Sequence, residues 1–443
     1  MEVFKLTKPD ISANTDKVLD RILKGEDFSK FIESTSRPEY LFWDKAKYKS
    51  RPQGVSAGEF WSLIKLFRQH SPNRTNTIIR DERDTPFSWQ PLPGQDYFLH
   101  EIDMELGGAL MANVIDDDAT RQRFITRGII EEAIASSQLE GANTTRRVAK
   151  QMLLEKRKPA NKSERMIINN YNAMRAVESQ LGKKTLSIET LLDLHVMLTK
   201  DTIDDSLVGR FRRDKDEIVV CDAATNIVYH VPPSERFMKK EIKRFIQYAN
   251  DTSKEVQFVH PLIKAILIHF WMGFLHPFAD GNGRMARTLF YWYLLKNNYW
   301  AFSYLPVSKV IKNSPAQYRD AYIYSEQDDN DLTYFIDYNF RRITQAKRDF
   351  ETYCKRKEIQ NRKMAGIARA KYNLNDRQIQ LLRYLHKNSS ASTAIKTYAQ
   401  IHGVSRPTSR KDLEQLEQLG LLSSTKLGRD RPFRGTKAIS ELF

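Results

Sequence analysis

The chain has 443 residues, with 71 lysines and arginines against 55 aspartates and glutamates, a net charge of +16 and a pI near 9.5. That length suggests two or three domains with ample core, and the positive balance suits an anionic partner: a nucleotide, a nucleic acid or an acidic protein. Two cysteines, Cys221 and Cys354, rule against a disulfide framework or a cysteine zinc site.

The start of the chain is broken by Lys5, Lys8, Asp10, Asp16 and Lys17, so no secretory h-region is predicted there. The most apolar run, Leu262 to Leu275, contains Lys264 and His269 and is too short to cross a bilayer. A cytoplasmic protein without a membrane partner is expected. Residues 1–95 read as an N-terminal helical arm. In it, short helical patterns (Lys17 to Leu23, Ala57 to Phe67) alternate with polar, proline-bearing connections. Trp43, Tyr48 and Trp61 are expected as core or docking residues, and Ser88 to Pro93 as a linker. From Phe98 to Leu181 the pattern is helical. A helix over about 121–141 ends at Gly141, a natural C-cap, with Ser136 and Glu140 four apart on one face. By itself Glu140 is either an ordinary solvated carboxylate, mildly unfavourable with the helix dipole, or one aimed at a cation elsewhere.

After a helix over Ser187 to Leu198 and the stretch Gly209-Arg-Phe-Arg212, the period changes. Glu217 to Cys221 and Asn226 to Val231 are β-branched runs joined by Asp222 to Thr225 and closed by Pro232-Pro233, which predicts a β-hairpin in a helical domain. Then comes the densest stretch, His276-Pro-Phe-Ala-Asp280-Gly-Asn282-Gly-Arg284-Met-Ala-Arg287. His276 precedes a proline and so ends the preceding helix. The Gly-Asn-Gly turn opens the next one, where free N–H groups and the positive dipole end attract phosphate. Arg284 and Arg287, three apart, point from one side of that first turn and can share a polyanion. Asp280 can hold Mg2+ between phosphate oxygens, and His276 suits proton abstraction near neutral pH. These parts predict a site that moves part of a nucleotide.

Further on, Val307 to Tyr324 holds Asn313 and Tyr318. Arg341 to Lys371 is strongly basic and reads as a solvated linker helix. Residues 372–443 then show helices over Asp376 to Leu385, Thr397 to His402 and Ser405 to Leu419, with Leu413, Leu416 and Leu419 inward. A strand at Leu421-Leu422 and a basic wing at Lys426 to Arg434 follow. This resembles a winged helix-turn-helix, with Arg406, Thr408, Ser409 and Arg410 where DNA contacts are made. Such modules also serve in docking or as a homodimer contact.

The stretch from His276 to Arg287 resembles the signature of the Fic family, His-x-Phe-x-(Asp/Glu)-Gly-Asn-Gly-Arg-x-x-Arg, and every fixed position matches. The resemblance covers about residues 95–340. It implies a mainly α, Fic-type helical domain (96–340) with a β-hairpin flap (about 209–233) that registers a target side chain over the histidine. It further implies transfer of AMP from ATP to a Ser, Thr or Tyr hydroxyl of a protein target, the protein itself included, with Mg2+ on Asp280. His276 takes the target's proton. Gly281, Asn282, Gly283 and Arg284 cradle the α- and β-phosphates, and Arg287 meets the γ-phosphate. Tyr318 and Asn313 are candidates to close over adenine and ribose, though a core tyrosine fits Tyr318 equally. Ser136-x-x-x-Glu140-Gly141 is similar to the family's inhibitory motif. Two alternatives stay open: the same site run backwards, with Glu140 activating water to remove AMP, and a DNA-binding regulator. The sequence has no Gly-x-x-x-x-Gly-Lys phosphate loop, Gly-x-Ser-x-Gly elbow or His-Glu-x-x-His zinc helix.

Overall fold

A computed structural model of the chain describes residues 2–106, 118–222, 224–253, 258–387, 391–425 and 431–439. Ala223 in the predicted hairpin turn and Lys426 to Asp430 in the predicted wing lie outside these residues. Two units are distinguished, Met1–Arg348 and Asp349–Phe443.

The first unit opens with α1 (Ser12–Leu23), α2 (Ser29–Ser34), α3 (Trp43–Ala46) and α4 (Ala57–Gln69), then the antiparallel pair β1 (Thr75–Arg80) and β2 (Pro86–Trp89). A capping box starts α4: the Ser56 side chain accepts from the Glu59 N–H and Glu59 answers on the Ser56 N–H. These residues do not stand apart as an arm. On α4, Lys65 reaches Asp328 at 2.9 Å, and Arg68 donates to the Leu41 carbonyl at 2.9 Å with its guanidinium 3.6 Å from the Tyr40 ring. Burying such charges is tolerable because Lys65 is ion-paired and Arg68 is hydrogen-bonded to carbonyls and stacked on a ring. Trp61 is fully buried, whereas Tyr48 is exposed. Ser88, expected in a linker, lies in β2, where its N–H donates to the Asn330 carbonyl and its own carbonyl accepts from Leu332.

The chain continues through α5 (Gln95–Leu106), α6 (Asp118–Leu139), α7 (Arg146–Glu155), α8 (Lys162–Ser179) and α9 (Ile188–Thr199). The hairpin β3 (Val220–Cys221) and β4 (Val228–His230) is antiparallel and shorter than its β-branched runs, with an irregular register between Val220 and Cys221. Next come α10 (Glu235–Ala249), α11 (Pro261–Leu275), α12 (Asn282–Lys296), α13 (Val307–Ile311), α14 (Pro315–Gln327) and α15 (Thr333–Tyr372). The span Val307 to Tyr324 is thus two helices, parted before Pro315 because a residue preceding proline avoids helical backbone. Helix α15 runs on through the basic segment taken as a linker.

Helices α11 and α12 form the centre. Helix α11 is apolar all round, so it is buried all round, with Leu262, Ile266, Phe270 and Trp271 fully enclosed. Helices α6, α8 and α9 pack against α12. Among the described residues, no helix is long and apolar enough to cross a membrane.

The second unit contains α16 (Asp376–Lys387), α17 (Ile395–His402) and α18 (Arg406–Gln418), with β5 (Ser392–Thr393), β6 (Leu422–Ser424) and β7 (Phe433–Gly435) in the sheet order β5-β7-β6. Leu382, Leu385, Tyr398, Leu413, Leu416 and Phe433 make its core. Leu419 is exposed, contrary to the helical periodicity, because it caps α18 just where Gly420 turns the chain through a positive φ.

Three imidazoles of the first unit make its stability fall in acid. Burial depresses His195 to about 4 and both His269 and His276 to about 3. Between those values and the ordinary 6.5 the unfolded chain binds the proton and the folded chain does not. Stability therefore drops as pH falls below 6.5, by up to about 1.4 kcal/mol per pH unit for each imidazole. Urea unfolding at pH 7 and pH 5 should show a clear loss at pH 5, and equal midpoints would contradict this assignment.

Candidate active site

Helix α11 ends at His276, whose φ of 46° is left-handed, immediately before Pro277. A helix end leaves its last carbonyls without intrahelical partners, and here each finds one. The Met272 carbonyl accepts from the His276 N–H at 3.1 Å, and Gly273 from His276 Nδ1 at 3.3 Å. Phe274 accepts from His230 Nε2 at 2.8 Å, and Leu275 from Arg212 Nη2 at 3.3 Å. Arg212 Nε then donates to the His276 carbonyl at 2.8 Å. A cationic guanidinium is well placed at a helix C-terminus. Arg212 is therefore a site-building residue that its place in Gly209-Arg-Phe-Arg212 only hinted at.

The same geometry fixes the His276 tautomer. A carbonyl can only accept, so the proton sits on Nδ1 and Nε2 keeps its lone pair. Burial, then the neighbouring His230 charge, hold the imidazole down to about 3, so it is neutral at pH 7.

From His276 the chain makes a tight loop into α12. Phe278 is fully buried and stacks on His195, centroids 4.0 Å apart and planes within 6°. His195 Nε2 donates to the Asp280 carbonyl at 3.1 Å, and its Nδ1 accepts from the Gly209 N–H at 3.0 Å. Asn282 closes the loop: its side-chain oxygen accepts from the Phe278 N–H at 2.9 Å and its amide donates to the Phe278 carbonyl at 2.8 Å. Its side chain is thus spent on the loop, and only its backbone is left for an anion. Gly281 is the N-cap, at a φ of 83° that a β-carbon would strain. The first N–H groups of α12 are therefore presented at the loop, the arrangement that binds phosphates.

The two arginines take separate partners. Arg284 is completely buried, donating from Nη1 to the Leu198 carbonyl at 2.7 Å, with Nη2 3.4 Å from Asp280 Oδ1 and no aligned hydrogen bond. Arg287 is also buried. Its Nε donates to Ser136 Oγ at 2.8 Å, and its Nη2 donates to the Ser136 carbonyl at 3.0 Å and Glu140 Oε1 at 2.8 Å. Among the described residues, Arg284 Nε and Nη2 and Arg287 Nη1 have no hydrogen-bond partner. Buried guanidinium donors without acceptors are costly, and a polyanion at this loop is the chemistry that suits Arg287 Nη1.

Helix α6 brings the carboxylate. Its last turn tightens, with the Glu140 N–H on the Ser137 carbonyl, which frees the Ser136 carbonyl for Arg287. Glu140 leaves the helix just before Gly141, at a φ of 91°, and its carboxylate lies over the anion loop. A β-carbon on Gly283 would meet Glu140 Oε1 at 2.2 Å and Arg287 Nη1 at 3.1 Å. Burial alone would lower the Arg287 pKa, but the Glu140 charge overrides it and holds Arg287 protonated.

Asp280 is the half-exposed member. Its contacts from the Gly281 N–H (2.5 Å) and Arg284 Nη2 (3.4 Å) both fall on Oδ1. Among the described residues no cluster of three metal-ligating side chains exists. One carboxylate beside a phosphate loop fits Mg2+, which keeps waters and substrate oxygens as its other ligands. Tyr318, on α14, lies close to Arg287, and its hydroxyl is 2.7 Å from His269 Nε2; burial raises the phenol's pKa while the Arg287 charge opposes this. Asn313 is exposed between α13 and α14, its N–H on the Val310 carbonyl, and among the described contacts none joins it to the loop.

Residues 185–294 match the model of the Fic/DOC family. The chain is 26% identical over 175 residues to a protein adenylyltransferase Fic of Nematostella vectensis, covering 38% of each. It is 32% identical over 133 residues to the protein adenylyltransferase Fic of Drosophila erecta, covering 29% of this chain and 23% of that one. The chain thus spans less than half the length of these relatives. A solved Fic family protein from Desulfovibrio desulfuricans G20 is similar over 79% of this chain and 97% of that one, with a TM-score of 0.52 at 21% identity. That likeness is one of fold.

Proposed function

We propose that the chain transfers AMP from ATP to a hydroxyl of a protein and that Glu140 restrains the reaction. The observation that carries this is the pairing of two features: a neutral imidazole with a free Nε2, and a helix N-terminus where the buried Arg287 keeps an unpartnered donor. The names of the relatives support the same class of reaction. The target's hydroxyl oxygen attacks the α-phosphorus, and its proton passes to His276 Nε2. The bond from that phosphorus to the bridging oxygen breaks, and pyrophosphate leaves with the electron pair. The N–H groups of Asn282 and Gly283 and the Arg284 charge under the loop hold the phosphates, while the Gly281 N–H is taken by Asp280 Oδ1; Arg287 takes the γ-phosphate once Glu140 yields it. Mg2+ on Asp280 would neutralise phosphate charge. Alignment and charge neutralisation supply most of the rate. Tyr318, beside Arg287, is the candidate to close over the adenine. Incubation with ATP and a cell lysate, followed by mass spectrometry, should find a phosphoadenosine adduct on Ser, Thr or Tyr of discrete proteins. Adducts that also form with His276→Ala would point elsewhere.

For the second unit we favour a winged helix that binds duplex DNA. The supporting observation is an open cleft of ≈ 920 Å³ beside α18, lined by Lys396, Arg406, Arg410, Lys411 and Arg431, with Glu414 as its acidic member. Binding should weaken steeply with salt, because each neutralised phosphate releases counterions. Replacing Arg406 and Arg410 with alanine should remove sequence preference before all affinity. Equal retention of random and genomic DNA, unchanged by those replacements, would count against it.

A further inference from the structure

His230, the last residue of β4, lies beside the candidate base, its ring centroid 6.2 Å from that of His276. Its two nitrogens face two acceptors. Nδ1 is 2.7 Å from Glu326 Oε2, and Nε2 is 2.8 Å from the Phe274 carbonyl. A neutral imidazole has one N–H and can satisfy only one of them. The geometry therefore requires one proton more than a neutral histidine and an ionised glutamate carry. We propose that His230 and Glu326 form a proton-holding latch that fixes the flap over His276, with His230 as a positioning residue.

Three observations place the latch in a wider anchor. Glu326 is in the last turn of α14, whose negative dipole end favours a cation. The next residue, Gln327, accepts from the Leu6 N–H at 2.9 Å and donates to the Phe4 carbonyl at 3.0 Å. Residues 2–4 in turn pair with β4: the Val228 N–H donates to the Glu2 carbonyl at 2.9 Å, and the Phe4 N–H donates to the Val228 carbonyl at 2.8 Å. The end of α14 thus holds β4 twice, directly through His230 and indirectly through the strand-like start of the chain. With one edge of β4 covered by residues 2–4 and the other by β3, an extended segment adding to this hairpin would have to use β3. The latch fixes where that free edge lies relative to His276 Nε2.

The charged and titratable groups facing His230 are Glu326 from α14, Asp329 just beyond it, Asp81, Glu82 and Arg83 from the β1–β2 connection, Arg212, and His276. Burial opposes the imidazolium, but the Glu326 charge and hydrogen bond outweigh it and raise the His230 pKa above the ordinary range. The sign follows. The latch is fully closed below pH 6.5, and it opens as pH rises through the raised folded value.

The positioning role rests on the proposed AMP transfer, but the latch is tested without it. In the full chain with ring-labelled histidine, 15N NMR should show both His230 nitrogens protonated at pH 7, with the assignment fixed by His230→Gln. In Glu326→Gln, His230 should be a single neutral tautomer at pH 7. Hydrogen exchange of the β3 and β4 amides, corrected for intrinsic rates, should then be roughly ten-fold faster at pH 7 than in the unmodified chain, the loss of one charge-assisted anchor. The unmodified chain should approach that rate only as pH rises through the His230 titration. Exchange in α11 serves as the control for folding and should not change. A neutral His230 at pH 7 in the unmodified chain, or equal flap exchange in Glu326→Gln, would overturn the proposal. An intact latch in a chain that transfers no AMP would instead leave the latch standing and remove only its catalytic purpose.

Discussion

His276→Ala is expected to lower AMP transfer by roughly a thousand-fold or more while leaving ATP binding nearly unchanged. Nδ1 of this imidazole is committed to the Gly273 carbonyl, so Nε2 is the one nitrogen able to receive the target's proton. In the proposed mode the phosphates sit elsewhere, at the α12 N-terminus. The loss should therefore fall on the chemical step and not on the nucleotide's affinity. A depressed pKa keeps the base unprotonated at pH 7 but also weakens it. A triphosphate bound nearby favours the imidazolium and raises the value toward the useful range. Calorimetry with ATP and single-turnover labelling would separate binding from chemistry. A variant that modifies protein at the unsubstituted rate would remove His276 from the mechanism.

Glu140→Gly should raise auto-modification by roughly ten-fold or more, about 1.4 kcal/mol or above in the barrier. The Glu140 carboxylate takes Arg287 Nη2 at 2.8 Å and stands where a β-carbon of Gly283 would be. It therefore occupies both the cation and the floor of the phosphate loop. Glu140 takes Nη2 and leaves only Nη1 for a phosphate, which cannot then be held bidentately. A carboxylate held beside a triphosphate in a poorly solvated cleft also repels it strongly. Removing Glu140 leaves Arg287 buried without its charge partner, so the nucleotide should become its replacement. ATP should then raise the melting temperature more in Glu140→Gly than in the unsubstituted chain. Adding Arg287→Ala should cancel both gains. A folded Glu140→Gly protein with no gain in either readout would return Glu140 to the status of a helix-end ion pair.

Much of this site could be read in the sequence, because its parts are local. Pro277 dictates the end of α11, Gly281 supplies the positive φ that opens α12, and Gly141 marks the end of α6. The β-branched runs around Val220 and Val228 announced the hairpin. What sequence left hidden is non-local. Nothing in Gly209-Arg-Phe-Arg212 says that Arg212 caps a helix more than sixty residues later. Likewise, His195 looks like one more polar residue on an amphipathic helix until it is found stacked on Phe278. Spacing put Arg284 and Arg287 on one turn, but their long side chains part, one to the Leu198 carbonyl and the other to Ser136 and Glu140. Asn282 read as a phosphate ligand, because a spare amide and one folded back onto Phe278 look the same in a string of letters. The first 95 residues looked detached since Lys65 finds its carboxylate at Asp328 and Arg68 reaches the Tyr334 hydroxyl, both far along the chain.

In the proposed reaction the α-phosphate of ATP, with its adenosine, ends on a protein hydroxyl, and Glu140 restrains this. The most direct measurement uses purified Glu140→Gly protein with two batches of ATP, one labelled at the α-phosphate and one at the γ-phosphate. Label from the α-position should appear on protein and vanish with His276→Ala, while label from the γ-position should leave as pyrophosphate. Protein labelled from the γ-position, or from neither when ATP is bound and the fold is intact, would contradict the account.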